Sequence, residues 1–139
     1  CRVLFFGSAI AEPWKRNRHV FKVTPADRPV FLAGDHTCLR EIFHPAKHAL
    51  KLGYSLAHGS LGPGKRSKRH VLASSEVYYF LAGQGRFTID GEVVIVEAGS
   101  TLYVPPGGVQ ALENTGEQDI EFLCLVDPAW KAEDEQVLE

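Results

Sequence analysis

Apolar and polar positions alternate in short runs along most of this chain, and each run closes on glycine, proline, asparagine or aspartate. The runs are Val20 to Val23, Pro29 to Ala33, Thr37 to Phe43, Tyr54 to Leu61, Lys68 to Leu72 and Glu76 to Leu81. They continue through Gly85 to Ile89, Glu92 to Glu97, Thr101 to Val104, Val109 to Leu112 and Gln118 to Val126. A period of two marks a strand with one face turned to a core. Evenly spaced strands with tight turns point to an antiparallel sandwich or barrel rather than to β-α-β units.

The turn chemistry agrees. Gly85 to Ile89 and Glu92 to Val96 flank Asp90-Gly91, a pair that readily supplies the positive φ angles of a type I′ hairpin. Pro105-Pro106-Gly107-Gly108 marks a second turn, and Gly99 a further corner. Helix is scarce: Pro45 to Leu52 predicts one or two turns. Ala129 to Leu138 predicts a charged C-terminal helix, with Pro128 suited to its first turn.

Alternation also groups side chains. His70 and Leu72 share one strand face, as do Glu76, Tyr78 and Phe80, and so do Gln110 and Leu112. If these faces turn inward together, His70, Glu76 and Gln110 meet among Leu72, Tyr78, Phe80 and Leu112. Such a pocket is apolar with a few convergent polar groups, the usual make-up of a small-molecule site. His58, on the strand before, is a further inward candidate. Tyr79 alternates with Tyr78 and belongs on the opposite face.

Other readings of these residues stand beside that one. His70 and Glu76 form a hydrogen-bonded buried pair if they meet without a ligand. Glu76 has Arg86 or a rim lysine as another partner, and Gln110 serves equally as a polar plug. His44 and His48 are four apart, but Pro45 and a loop-like context weaken them as a helical pair. His19 and His36 carry no pattern. The basic run Lys65, Arg66, Lys68, Arg69 is read as a solvated loop, or as a rim for an anionic ligand.

Composition narrows the field. With 139 residues and 45% hydrophobic content, the chain suits one domain with an ample core. A formal net charge of -2 gives no drive toward nucleic acid or an anionic membrane, and no apolar run is long enough to span a bilayer. Three cysteines (Cys1, Cys38, Cys124), widely spaced and without a C-x-x-C, argue against a disulfide framework and for a reducing, cytoplasmic setting. Cys124 reads as a small core residue. Val3 to Ala11 is too short for the apolar region of a signal peptide. Residues 1–18 are taken as an N-terminal extension of uncertain origin, and 19–139 as a single domain with a short helical tail. No G-x-S-x-G, P-loop or H-E-x-x-H occurs.

Two stretches carry a family resemblance. The first runs Gly64, five residues, His70, Val71, Leu72, three residues, Glu76, six residues, Gly83. The second runs Gly99, five residues, Pro105, Pro106, Gly107, two residues, Gln110, three residues, Asn114. They resemble the paired motifs of the cupin superfamily, G-x5-H-x-H-x3,4-E-x6-G and G-x5-P-x-G-x2-H-x3-N. Leu72 stands where the second histidine would be and Gln110 where the third would be. The resemblance implies a single-domain, cupin 2 type conserved barrel: an all-β antiparallel jelly-roll, forming a homodimer through exchanged strands. It also implies one divalent first-row transition metal, with His70 and Glu76 as ligands and Gln110 as a substituted one, in a metal-binding motif that is partly degraded.

Three function classes follow. In the first, preferred here, the barrel binds a small organic molecule without conventional metal catalysis. In the second, a metal-dependent enzyme, isomerase-like or dioxygenase-like, uses His70, Glu76 and Gln110, with Tyr78 as acid or base. In the third, a metal-free enzyme uses Glu76 or His70 to carry a proton.

Overall fold

The structure is a computed structural model and describes residues 20–139. The expected extension at 1–18, with Cys1, and His19 lie outside the described residues. The strands are β1 (Phe31–Leu32), β2 (Cys38–Phe43), β3 (Ser55–Leu61), β4 (His70–Leu72), β5 (Ser75–Ala82), β6 (Gln84–Ile89), β7 (Glu92–Glu97), β8 (Thr101–Val104), β9 (Gln110–Asn114), β10 (Ile120–Asp127) and β11 (Glu135–Val137). One short helix, α1 (Pro45–His48), follows β2.

The strands form two antiparallel sheets, ordered β1-β2-β3-β10-β5-β8 and β11-β4-β9-β6-β7. From β3 onward each strand crosses to the other sheet except at the β6–β7 hairpin, which makes an all-β antiparallel jelly-roll: the barrel that the alternation predicts, in the form that the resemblance implies. The inward positions of β5 (Glu76, Tyr78, Phe80) and of β10 (Ile120, Phe122, Cys124, Val126) are all buried, while Val77, Tyr79 and Leu81 face out. Phe80 and Phe87 are each 1% exposed, and full burial of such a side chain stabilises by about 1.5–3 kcal/mol. Their rings meet edge-on at 6.4 Å, joining the two sheets.

The turns close as their residues dictate. Asp90 and Gly91 both have positive φ, 49° and 84°, as a type I′ hairpin requires, and they set Ile89 opposite Glu92. Gly83, at φ 81°, passes the β10 backbone so closely that a Cβ would lie 2.6 Å from the Asp119 carbonyl oxygen. Gly107, also at φ 81°, sends its N–H to the Leu72 carbonyl at 2.8 Å, and this ties the proline turn to β4.

Two predicted elements differ. Residues 20–23 form no strand. The C-terminal helix is absent too: a single 3-10 turn (Ala132–Asp134) precedes β11, which pairs antiparallel with β4, Val137 opposite His70. β4 is three residues long and meets β9 at one register pair, so its other edge presents unpaired backbone groups. Pairing that edge outweighs the local helical preference of the tail. Residues 45–52 yield only the four-residue helix α1, ended by Ala49 in the left-handed region at φ 51°.

Candidate functional site

The two sheets leave a cavity of about 470 Å³ between them. Strands β4, β5 and β9 bring His70, Glu76 and Gln110 to its wall, together with Leu72, Tyr78 and Leu112. Each arrives through the alternation of its own strand, and His70 sits directly opposite Gln110 in the β4–β9 register.

His70 is buried, and its Nδ1 lies 3.0 Å from the Lys68 carbonyl. A carbonyl only accepts, so Nδ1 carries the proton in this contact and Nε2 is the basic nitrogen of the neutral ring. Asp35 stands behind it, with Oδ2 3.7 Å from His70 Nδ1. Asp35 is itself fixed: its Oδ1 accepts from the Thr37 N–H at 3.1 Å and the Thr37 hydroxyl at 2.8 Å, and its carbonyl accepts from Lys68 N at 2.7 Å. The alternative His70–Glu76 hydrogen bond is not formed: Nδ1 turns to Lys68 and Asp35, and the Glu76 oxygens are taken by Gln110, Tyr78 and Cys124.

Glu76 is held from the opposite wall. Gln110 Nε2 donates to Glu76 Oε2, and the Tyr78 hydroxyl donates to Gln110 Oε1 at 3.0 Å. The same hydroxyl lies 3.3 Å from Glu76 Oε1, and the Cys124 thiol donates to that oxygen at 3.5 Å. Burial raises the Glu76 carboxyl above the ordinary 4.5, opposed by its bond to Gln110 and by His70 nearby. Burial, with the Glu76 charge adding to it, pushes the Tyr78 hydroxyl and the Cys124 thiol well above their ordinary ranges. Both remain neutral donors at physiological pH, so Tyr78 is suited to hold a group and poorly suited to give up its proton.

Several sequence expectations change. Phe80 stacks against Tyr78 at 6.2 Å within the core and does not reach the cavity wall. On β3 the wall residues are Ser55, Leu56 and Ala57, and His58 instead lies 3.9 Å from Glu121. The β10 register sets His58 opposite Leu123, which shares the outer face with Glu121 and Leu125. Arg86 pairs with Glu113 at 2.9 Å, not with Glu76. Arg66 and Arg69 bind Glu139, and of the basic run only its neighbours Ser67 and His70 line the cavity, so no basic rim surrounds it. His44 donates from Nε2 to the Trp130 carbonyl at 2.8 Å while its Nδ1 caps α1 through Ala46 N, and His48 Nδ1 accepts from His44 N. Their spacing serves the cap and makes no ligand pair.

The structure adds residues the sequence reading missed. Cys124 lines the cavity, beyond its expected packing role, as does Phe122 from the same face of β10. The period-two pattern of β10 holds the signal for both. Asp35, Thr37, Trp130 and Glu135 also reach the wall, from the loop after β1 and from the tail. Of these, only the Asp35-His36-Thr37 triplet has a local signature, an aspartate whose carboxylate caps the backbone two residues on.

The metal that the resemblance implies can be tested against these donors. His70 offers one imidazole, and Leu72, the other inward residue of β4, offers none. The Gln110 carbonyl already accepts from Tyr78 and its amide donates to Glu76, whose burial favours the protonated form. Among the described residues no group of three or more His, Cys, Asp or Glu is placed to hold an ion. This donor set does not fit a resident first-row ion, which needs several basic ligands in place.

Comparison with known proteins completes the picture. An uncharacterized protein of Methanocaldococcus jannaschii is 33% identical over 110 residues, covering 78% of this chain and 87% of that protein. The oxalate-binding protein of Thermotoga maritima is 39% identical over 51 residues, covering 37% of this chain and 42% of its own. Among solved structures, a predicted oxalate decarboxylase of Thermotoga maritima superposes with a TM-score of 0.67 at 24% identity, covering 78% of this chain and 99% of that one. A Streptomyces nucleoside dehydratase variant with uridine superposes with a TM-score of 0.71 at 21% identity, covering 87% and 92%. The Cupin domain family model matches residues 57–126, the segment that carries both motifs, and with the jelly-roll barrel it establishes that the chain belongs to the cupin family.

Proposed function

We propose that this cupin binds a small organic molecule inside the barrel. The observation that carries the reading is the cavity of about 470 Å³, where His70, Glu76 and Gln110 meet the aromatic faces of Tyr78, Phe87 and Phe122. A volume of that size, mostly apolar with few convergent polar groups, suits a compact organic ligand. The names of similar barrels agree in kind, recording an oxalate-binding protein and a structure with uridine. The alternative of a metal-dependent isomerase-like or dioxygenase-like enzyme on His70, Glu76 and Gln110 is disfavoured by the donor set.

The test is a small-molecule screen by ligand-observed NMR on the protein and on Leu112→Trp, which fills the cavity. Binding that the tryptophan abolishes supports the reading, and the absence of any such binding sinks it.

One observation favours a second, catalytic reading. The Lys68 carbonyl fixes the tautomer of His70, leaving Nε2 basic, while burial favours a protonated Glu76. A base and an acid on facing cavity walls can move a proton across a bound molecule without a metal. Turnover of a ligand found in the screen, lost in both His70→Gln and Glu76→Gln, would support proton transfer. Turnover that persists in either would remove that residue from the role.

A further inference from the structure

The charges around the cavity are unbalanced. Asp35, Glu41 and Glu135 line it, beside the buried Glu76, against a single lysine, Lys47. Lys47 is at the exposed mouth and is already paired with Glu41 at 2.7 Å. The arginines of the neighbouring segment, Arg66 and Arg69, are bound to Glu139 and take no part in the wall.

The hydrogen-bond inventory leans the same way. Most donors inside are committed: the Tyr78 hydroxyl to Gln110, a Gln110 amide hydrogen to Glu76, the Thr37 hydroxyl to Asp35, and the Trp130 indole to Glu135 at 2.9 Å; the Ser55 and Ser67 hydroxyls, which accept from Trp130 N and Leu112 N, are the exceptions, and neither carries charge. Against these neutral donors stand two acceptors, the second oxygen of the Asp35 carboxylate and His70 Nε2, and of the two Asp35 carries the charge. An incoming carboxylate or phosphate would find no unpaired cation and only neutral donors, and would meet the Asp35 carboxylate across a short distance in a medium that screens poorly. A hydroxyl or an ammonium group meets what it needs.

Building on the proposed ligand-binding role, we infer that the molecule this barrel takes is neutral or cationic, presenting hydroxyl or amine donors to Asp35 and His70, with its apolar part against Phe87 and Phe122. An anion such as oxalate or a sugar phosphate is the wrong ligand for this chain, whatever other barrels of the family hold. The same acidic lining would make an amine bind at least as well as an uncharged alcohol.

The experiment screens a fluorinated fragment library in which alcohols, amines and carboxylates are equally represented, read by ¹⁹F relaxation. The matched trio 4-(trifluoromethyl)benzyl alcohol, 4-(trifluoromethyl)benzylamine and 4-(trifluoromethyl)benzoate is included. Site occupancy is read from loss of binding in Leu112→Trp, and independently from shifts of the Leu72 and Leu112 methyl resonances in the unaltered protein. The expected result is cavity hits among alcohols and amines, with matched carboxylates weaker by on the order of tenfold or more. In Asp35→Asn/Glu76→Gln that discrimination should shrink. Should the double variant fail to fold, the ranking in the unaltered protein still decides. Cavity binding of carboxylates as tight as their alcohol and amine partners overturns the inference and leaves a ligand-binding barrel. No cavity hit of any charge removes the barrel-ligand role itself, and the inference with it.

Discussion

The Tyr78 hydroxyl on β5 donates to Gln110 Oε1 on β9 at 3.0 Å, so one hydrogen bond spans the barrel from sheet to sheet beside the Glu76 carboxyl. Both residues are buried, which makes the bond costly to break. Tyr78→Phe keeps the ring that packs against Phe87 and Phe122 and removes only the donor. It is expected to cost about 1–2 kcal/mol in urea unfolding. An unchanged midpoint would mean that Gln110 finds another partner.

Glu76 links stability to pH. Its folded-state carboxyl is raised above the ordinary 4.5, chiefly by burial, so between those two values the folded chain binds more protons than the unfolded one. Stability is then fully present below the ordinary value and falls as pH rises through the raised one. Glu76→Gln lacks this titration. Its melting temperature, relative to the unaltered protein, should climb as pH increases from about 4.5. A difference that stays flat across that window would show that burial does not control this group.

Gly59 sits on β3 against the cavity-lining Phe122 of β10. A Cβ there would overlap the Phe122 ring and lie 2.9 Å from Leu39 Cδ2. Gly59→Ala must displace that ring, at a cost of about 1–3 kcal/mol, and should weaken any ligand of the barrel along with the fold. Chemical denaturation read beside ligand affinity checks both, and a variant of normal stability and affinity would contradict the packing argument.

Metal content is directly measurable. Elemental analysis by inductively coupled plasma mass spectrometry, before and after dialysis against chelator, is expected to find far less than one first-row metal per chain, with no dependence on His70. Metal near stoichiometry that disappears in both His70→Ala and Glu76→Ala would show that the donor-set argument fails and would return the metalloenzyme reading to first place.

Much of this was legible in the chain. The β7 and β8 bounds, the Asp90-Gly91 hairpin and the shared faces of Glu76 with Tyr78 and of His70 with Leu72 follow from alternation and turn chemistry, which act over a few residues. His58 shows the limit of that logic: alternation groups side chains on one strand but leaves open which group turns inward, and β3 lines the cavity with Ser55, Leu56 and Ala57 while His58 lies by Glu121. The tail was misread because the free edge of β4, which recruits β11, lies more than sixty residues away in sequence.

The sequence by itself therefore determined an antiparallel jelly-roll barrel, its family, and the polar trio at its heart, because each rests on local periodicity and on spacing within a motif. Tertiary structure alone decided the character of the pocket. It placed Asp35 behind His70, bound Glu76 to Gln110 and Tyr78, and turned Arg66 and Arg69 away to Glu139. Electrostatic surroundings are made by residues distant in the chain and near in space, and no reading of one segment at a time contains them.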